Sequence, residues 1–137
     1  MKSFQILLFI YFIGLSLSVS ENDVVNCAEN KVGCSYVYGA KGPNTFDCSG
    51  LAYYCHNKEI PMDSGGQYGS GTVSSGRRGD LAFFNTNGKG VSHVAICLGG
   101  GQMVHAENER TGVRYDSYTS NSYYSARLLG FRRYVLD

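Results

Sequence analysis

The pattern of apolar and polar positions divides the chain into an apolar leader, two helical segments and a run of short strands. Phe4 to Leu17 is almost continuously apolar. Further on, Val24 or Val25, Ala28 and Val32 recur at helical spacing and predict a first helix over residues 20–32. Ser20, three residues before Asp23, offers a weak capping box, and Gly33 offers a stop. Cys48, Leu51, Ala52 and Cys55 fall at i, i+3, i+4 and i+7, so a second helix is expected from residue 47 or 48 to about residue 57. Residues 60–79 have no clear period and are rich in Gly and Ser. They read as a surface loop with one helical turn around Gln67. Residues 81–84, 91–98, 102–106, 112–115 and 129–135 read as strands, with Asn87-Gly88 and Gly99-Gly100-Gly101 as turns. Helices followed by an antiparallel meander indicate an α+β fold, with helices packed on a five- to six-stranded antiparallel sheet.

The leader stands apart from this pattern. Lys2, the apolar run and the small residues Ser18-Val19-Ser20 have the order of a secretory signal peptide cut before Glu21. The run is short for a membrane span, and Cys27 lacks the small residue that a lipid-attachment site needs before it. The expected organisation is therefore a signal peptide over 1–20 and one catalytic domain over 21–137. The mature chain would be secreted and would carry no membrane span. Removing 20 of the 137 residues leaves 117, enough for one modest core. Lys2 leaves with the signal, so 11 basic side chains face 11 acidic ones. That balance gives no footprint for nucleic acid. No repeat, linker or appended domain is visible, and a monomer is expected.

Five cysteines in a secreted chain leave one over, which points to a reactive thiol or an intermolecular bond. Cys48 is the best placed for chemistry. It sits in the expected first turn of the second helix, where helix N–H groups and the partial positive charge favour a thiolate. Cys27, Cys34, Cys55 and Cys97 fall mid-helix, after a stop or inside a strand. Cys55 lies about 10 Å from Cys48 along one helix, too far for a disulfide between them.

Three histidines are present. His56 falls on the second helix beside Lys58 and Glu59 and is expected to be exposed. His93 and His105 flank the triple glycine. With a three-residue loop at Gly99–Gly101, His105 faces Ala95, which places His93 and His105 diagonally on one face. Val91, Ala95 and Cys97 are expected to share that face. Two histidines among apolar residues are costly unless bonded to something. The pattern suits a Cys–His–His arrangement in which Cys48 attacks, His93 exchanges the proton and His105 orients His93. Two readings compete: zinc ligation, for which no fourth ligand is evident and no CxxC or HxxxH spacing is present, and ordinary core histidines.

Five blocks carry a resemblance. They are Ser35-Tyr36-Val37-Tyr38-Gly39, Phe46-Asp47-Cys48-Ser49-Gly50-Leu51, Arg78-Gly79-Asp80-Leu81-Ala82-Phe83-Phe84, Ser92-His93-Val94-Ala95-Ile96 and Met103-Val104-His105-Ala106. In this order the chain resembles the NlpC/P60 peptidases, papain-like enzymes that cut peptidoglycan stem peptides. The resemblance spans about Val24 to Tyr134. It implies Cys48 as nucleophile, His93 as base and His105 as the third residue. It also implies Tyr36 as an oxyanion donor, with Asp47 and Ser49 holding the substrate's α-amine. Peptidoglycan or a muropeptide is the implied partner, and no metal or organic cofactor is implied. The sequence departs from the family at Tyr38, where tryptophan is common, and at Pro61-Met62-Asp63-Ser64, which lacks a following arginine. The four remaining cysteines allow two disulfides in any of three pairings. A related amidase that cuts between muramic acid and L-alanine, and a secreted wall-binding module without turnover, are the alternatives.

Overall fold

The structure is a computed structural model that describes residues 19–137. The signal peptide expected over residues 1–20 therefore lies outside the described residues, except for Val19 and Ser20. Helix α1 (Glu21–Asn30) begins as expected from its capping box. The Ser20 hydroxyl accepts from the Asp23 N–H, and the Ser20 N–H donates to the Asp23 carboxylate. Val24, Val25 and Ala28 are its buried positions. Gly33, at φ +97°, turns the chain away and donates its N–H to the Val113 carbonyl.

Two short parallel strands follow, β1 (Ser35–Tyr36) and β2 (Thr45–Phe46). They deliver the chain to α2 (Cys48–Cys55), with Asp47 as N-cap. Gly50 is required in its first turn because a Cβ there would collide with the Ala40 carbonyl. Helix α3 (Ser64–Tyr68) is the expected turn around Gln67.

The main sheet has six antiparallel strands, β3 (Thr72–Ser74), β4 (Leu81–Phe84), β5 (His93–Gly99), β6 (Gln102–Ala106), β7 (Val113–Ser117) and β8 (Leu128–Arg133). Their spatial order is β3-β8-β4-β5-β6-β7. The α+β expectation holds. Strand β3 was not legible in the sequence, because its residues are polar or exposed and pair only with distant β8. A fourth helix, α4 (Ser122–Ser125), was also unforeseen.

Alternation along the strands makes two cores. Leu81, Phe83, Val94, Ile96 and Val104 face α1 and α2 and pack with Val24, Ala28 and Leu51. Ala82, Phe84, Ala95, Cys97 and Met103 face the other way and pack with Tyr124. Val91 does not share this second face as expected. It precedes β5 and packs on the helical side.

One disulfide, Cys27–Cys55, joins α1 to the end of α2, with the two Cα atoms 5.5 Å apart. The second disulfide allowed by the cysteine count is not formed. Cys97 is buried in the second core and Cys34 is free on the helical side. No described helix is long and apolar enough to cross a membrane.

Candidate active site

Asp47 builds the nucleophile's turn from short-range contacts. Its Oδ1 accepts the Gly50 N–H at 2.6 Å and the Ser49 hydroxyl at 3.4 Å, and its Oδ2 accepts the Gly39 N–H at 2.9 Å. One carboxylate therefore caps α2 and ties it to the loop after β1. Buried Gln67 braces the same turn from outside, donating to the carbonyls of Ser49 (3.1 Å) and Pro61 (2.8 Å). Nothing in the local sequence marked Gln67 as a brace, since both of its partners lie across the loop.

Cys48 opens α2 and is half-buried. Burial pushes its thiol up to about 11, and the negative charge of Asp47 adds to this. The backbone amides of Val94, Ser49 and Cys48 itself pull the other way. The helix-terminus effect expected from the sequence is thus present but outweighed by desolvation. Val94 is the neighbour of His93 in β5, which places the sulfur beside the start of that strand. Tyr36, half-buried in β1, has its hydroxyl pushed up to about 12, first by burial and then by charge on Cys48 and Asp47. It remains a proton donor.

The register predicted for the histidines holds, by a different route. Ile96 faces Val104 and Cys97 faces Met103, as a three-residue loop requires. The pairing then shifts to Gly99 facing Gln102, so the turn itself is Gly100-Gly101 and Leu98 is the extra residue. Gly99, Gly100 and Gly101 all adopt positive φ there. The result is a hydrogen bond of 2.8 Å between His93 Nε2 and His105 Nδ1. Burial pushes His93 down to about 3, helped by proximity to His105. His105 is lowered as well, chiefly by burial.

Three partners of this pair were not foreseen. His105 Nε2 lies 3.0 Å from Asp116 Oδ2. Asp116 faces Met103 in the β6–β7 ladder, so it shares a face with His105. Tyr124, on α4, stacks on His93 with ring centroids 5.8 Å apart and meets His105 edge-on at 5.0 Å. Its hydroxyl donates to Glu107 at 2.6 Å. His105, Glu107 and Asp116 each offer an atom within 4.8 Å of the others. Those atoms already bond within the protein: His105 to Asp116, and Glu107 to Tyr124, Thr111 and Arg114. The donor set is that of a hydrogen-bonded imidazole–carboxylate chain.

His93 forms one wall of an open cavity of about 450 Å³. Thr86, Glu107, Asn108 and Asn121 line the cavity with polar groups, and Tyr123 and Tyr124 with rings. His56 takes no part in it and is not exposed. It caps α2 fully buried, its Nδ1 2.8 Å from the Ala52 carbonyl, with burial pushing it down to about 4.

The structure thus holds a buried histidine pair on the sheet and a cysteine at a helix N-terminus. Comparison decides the family: the profile described as "NlpC/P60 family" matches residues 33–133. The chain belongs to the NlpC/P60 family. Its similarity to known NlpC/P60 proteins is broad. It is 41% identical over 112 residues to "Probable endopeptidase p60" of Listeria monocytogenes, covering 77% of this chain and 22% of that protein. The chain thus spans about a fifth of that relative's length. An NlpC/P60 family protein from Bacillus cereus superposes with TM-score 0.76 at 31% identity, over 87% of this chain and 41% of the other. The peptidoglycan hydrolase RipB from Mycobacterium tuberculosis superposes with TM-score 0.68 at 28% identity, over 85% of this chain and 65% of the other.

Proposed function

We propose that residues 21–137 form a secreted, monomeric cysteine endopeptidase that hydrolyses peptidoglycan stem peptides between D-isoglutamate and diaminopimelate or lysine. The observation that carries this reading is the His93–His105 pair, bonded at 2.8 Å, with His93 next in β5 to Val94, whose backbone amide favours the Cys48 thiolate. Names given to relatives, an endopeptidase and a peptidoglycan hydrolase, support the substrate class.

In this reading the resting pair is a neutral thiol and a neutral imidazole. Cys48 Sγ attacks the scissile carbonyl as its proton passes to His93. Negative charge then develops on the carbonyl oxygen. The Cys48 N–H and the Tyr36 hydroxyl would receive it, and Tyr36 is suited because it stays protonated. The C–N bond breaks, His93 returns the proton to the departing amine, and a Cys48 thioester remains. The leaving amine must sit beside His93, so the polar cavity on that side fits the diamino acid. Water, deprotonated by His93, cleaves the thioester and restores the thiol.

Asp47 and Ser49 would hold the substrate's α-ammonium. That contact has a further consequence, since Asp47's charge helps hold the Cys48 thiol up. An ammonium beside it offsets that charge and favours the thiolate when substrate is bound. No metal or organic cofactor enters any step.

Digestion of purified peptidoglycan, followed by mass spectrometry, tests the reading. Wild type should release L-Ala-D-isoGlu or its muramyl form, and Cys48→Ala should release neither. Clearing that survives Cys48→Ala would remove Cys48 as nucleophile. Free muramic acid products would make the enzyme an amidase, and binding without products would make it a wall-binding module.

A further inference from the structure

The proton positions on both histidines can be traced from a helix cap, through Asp116, to His105 and then to His93. The Tyr123 N–H donates to Asn121 Oδ1 at 3.1 Å, which caps α4. A backbone N–H can only donate, so that atom of Asn121 is the oxygen and the other is the amide nitrogen. Asn121 Nδ2 then donates to Asp116 Oδ1 at 3.1 Å. The same Oδ1 accepts the Ser117 N–H at 2.8 Å. The remaining oxygen, Oδ2, faces His105 Nε2 at 3.0 Å.

Asp116 is held ionised: burial raises its carboxyl, but the bonds from Asn121, Ser117 and His105 bring it below the usual range. An ionised carboxylate only accepts, so His105 carries its proton on Nε2. Burial keeps each imidazole neutral, with one proton per ring. His105 Nδ1 is therefore bare and accepts, so His93 must donate from Nε2. That leaves His93 Nδ1 bare and unengaged by His105, so in the proposed reaction it is the nitrogen free to take the Cys48 proton.

We propose that Asp116 and Asn121 are positioning residues that fix the tautomers of His105 and His93, so that the bare nitrogen of His93 is the one offered to Cys48. This rests on the reading of His93 as the base for Cys48. It goes beyond a cysteine–histidine–histidine triad by giving the chain of bonds a direction and an origin, the N-terminus of α4.

Substitution of Asp116 separates this role from packing. In Asp116→Asn the two donors at Oδ1, Ser117 N–H and Asn121 Nδ2, orient the new amide so that its oxygen meets them. Its NH₂ then faces His105 Nε2. This favours His105 protonated on Nδ1 and His93 protonated on Nδ1, which withdraws the bare nitrogen from Cys48. In Asp116→Ala no donor is imposed. Glu107 Oε2, already 3.9 Å from His105 Nε2, is the nearest acceptor and preserves the original tautomer. The isosteric variant should therefore be the more damaging one. An aspartate-to-asparagine change one ring closer to a nucleophile costs about 10⁴-fold in a serine-protease triad. Here, one ring further away, Asp116→Asn is expected to lower kcat on the order of 10²-fold, and Asp116→Ala about tenfold less.

The test is ¹⁵N NMR of histidine-labelled full-length protein, together with kcat of wild type, Asp116→Asn and Asp116→Ala on peptidoglycan. Wild type should show His93 and His105 both protonated on Nε2, and Asp116→Asn should show both protonated on Nδ1. A wild-type spectrum with either ring protonated on Nδ1 overturns the proposal, and needs no variant to fold. So does an Asp116→Asn protein that is folded and keeps the wild-type tautomers. If wild type hydrolyses nothing, the peptidase reading fails, and the spectra still decide the tautomers.

Discussion

The two halves of the site are built by opposite means. Cys48 sits on a helical layer whose turn is capped by near neighbours in sequence and whose far end is fixed by one covalent bond. Asp47 reaches Gly39, Ser49 and Gly50, and Cys27 is stapled to Cys55. His93 sits on a sheet whose geometry is set by strand register and by a chain of side chains from β5 to β6, β7 and α4. The nucleophile's turn stays partly open, while both histidines are buried. A covalent brace holds the half that must meet substrate, and burial holds the half that moves protons.

Acid separates the halves most strongly. His93 is pushed down to about 3 and His56 to about 4, both from 6.5 and both chiefly by burial. The folded protein therefore binds fewer protons than the unfolded chain below pH 6.5. The stability from these groups is complete above about pH 6.5 and is lost as pH falls toward 4 and then 3. At pH 5 each residue costs about 2 kcal/mol, so the two together cost about 4 kcal/mol, and His105 adds in the same direction. Urea unfolding at pH 7.5 and pH 5 measures this. His56→Leu should remove only the helical layer's share, leaving the pH slope of the sheet histidines. If His56→Leu abolishes the slope, the sheet histidines are not buried neutral and the contrast fails.

This division also explains what the sequence made legible. The Asp-Cys-Ser-Gly turn could be read because the Asp47 contacts that cap it lie close in sequence, even though the Gln67 brace does not. The histidine pair could be read because three glycines pin the register of one hairpin. Asp116 required a second register, across a loop from Glu107 to Gly112 with no such pin, and it stands in a strand whose Arg114 and Tyr115 are exposed. Tyr124 required knowing where a four-residue helix folds back onto the sheet. His56 looked exposed beside Lys58 and Glu59. The helix ends at Cys55, however, and Asn57 and Lys58 adopt positive φ that turns the charges outward while the imidazole goes in. The disulfide pairing depended on how α1 lies against α2, which spacing alone does not encode.

The staple is the next test. Its loop spans 28 residues, for which chain entropy gives about 3–4 kcal/mol of stabilisation. Cys27→Ser/Cys55→Ser should lose roughly that much in thermal or urea unfolding. The His93–His105–Asp116 chain should survive, read as unchanged histidine NMR signals at a temperature where the variant is folded. A loss under about 1 kcal/mol would mean that the helical layer is held by packing rather than by the bond.

The smallest effect concerns the start of α1. Ser20 is both the expected last residue of the signal peptide and the residue whose hydroxyl and N–H close the capping box with Asp23. The Leu136 N–H also bonds the Val19 carbonyl, so the two residues before α1 hold the chain's end. Removing such a cap costs about 1 kcal/mol. In a protein of residues 19–137, which keeps this cap, Ser20→Ala should lower unfolding stability by about that amount, and a chain cut before Glu21 has lost the cap already. Ser20 touches neither α2 nor the histidine strands, and α1 reaches Cys48 only through the disulfide at the far end of α2 and through packing. The value of kcat should therefore stay unchanged in Ser20→Ala. A fall in kcat alongside stability would show that α1 sets the position of Cys48 directly. The nucleophile's half would then depend on long-range support as much as the histidine half does.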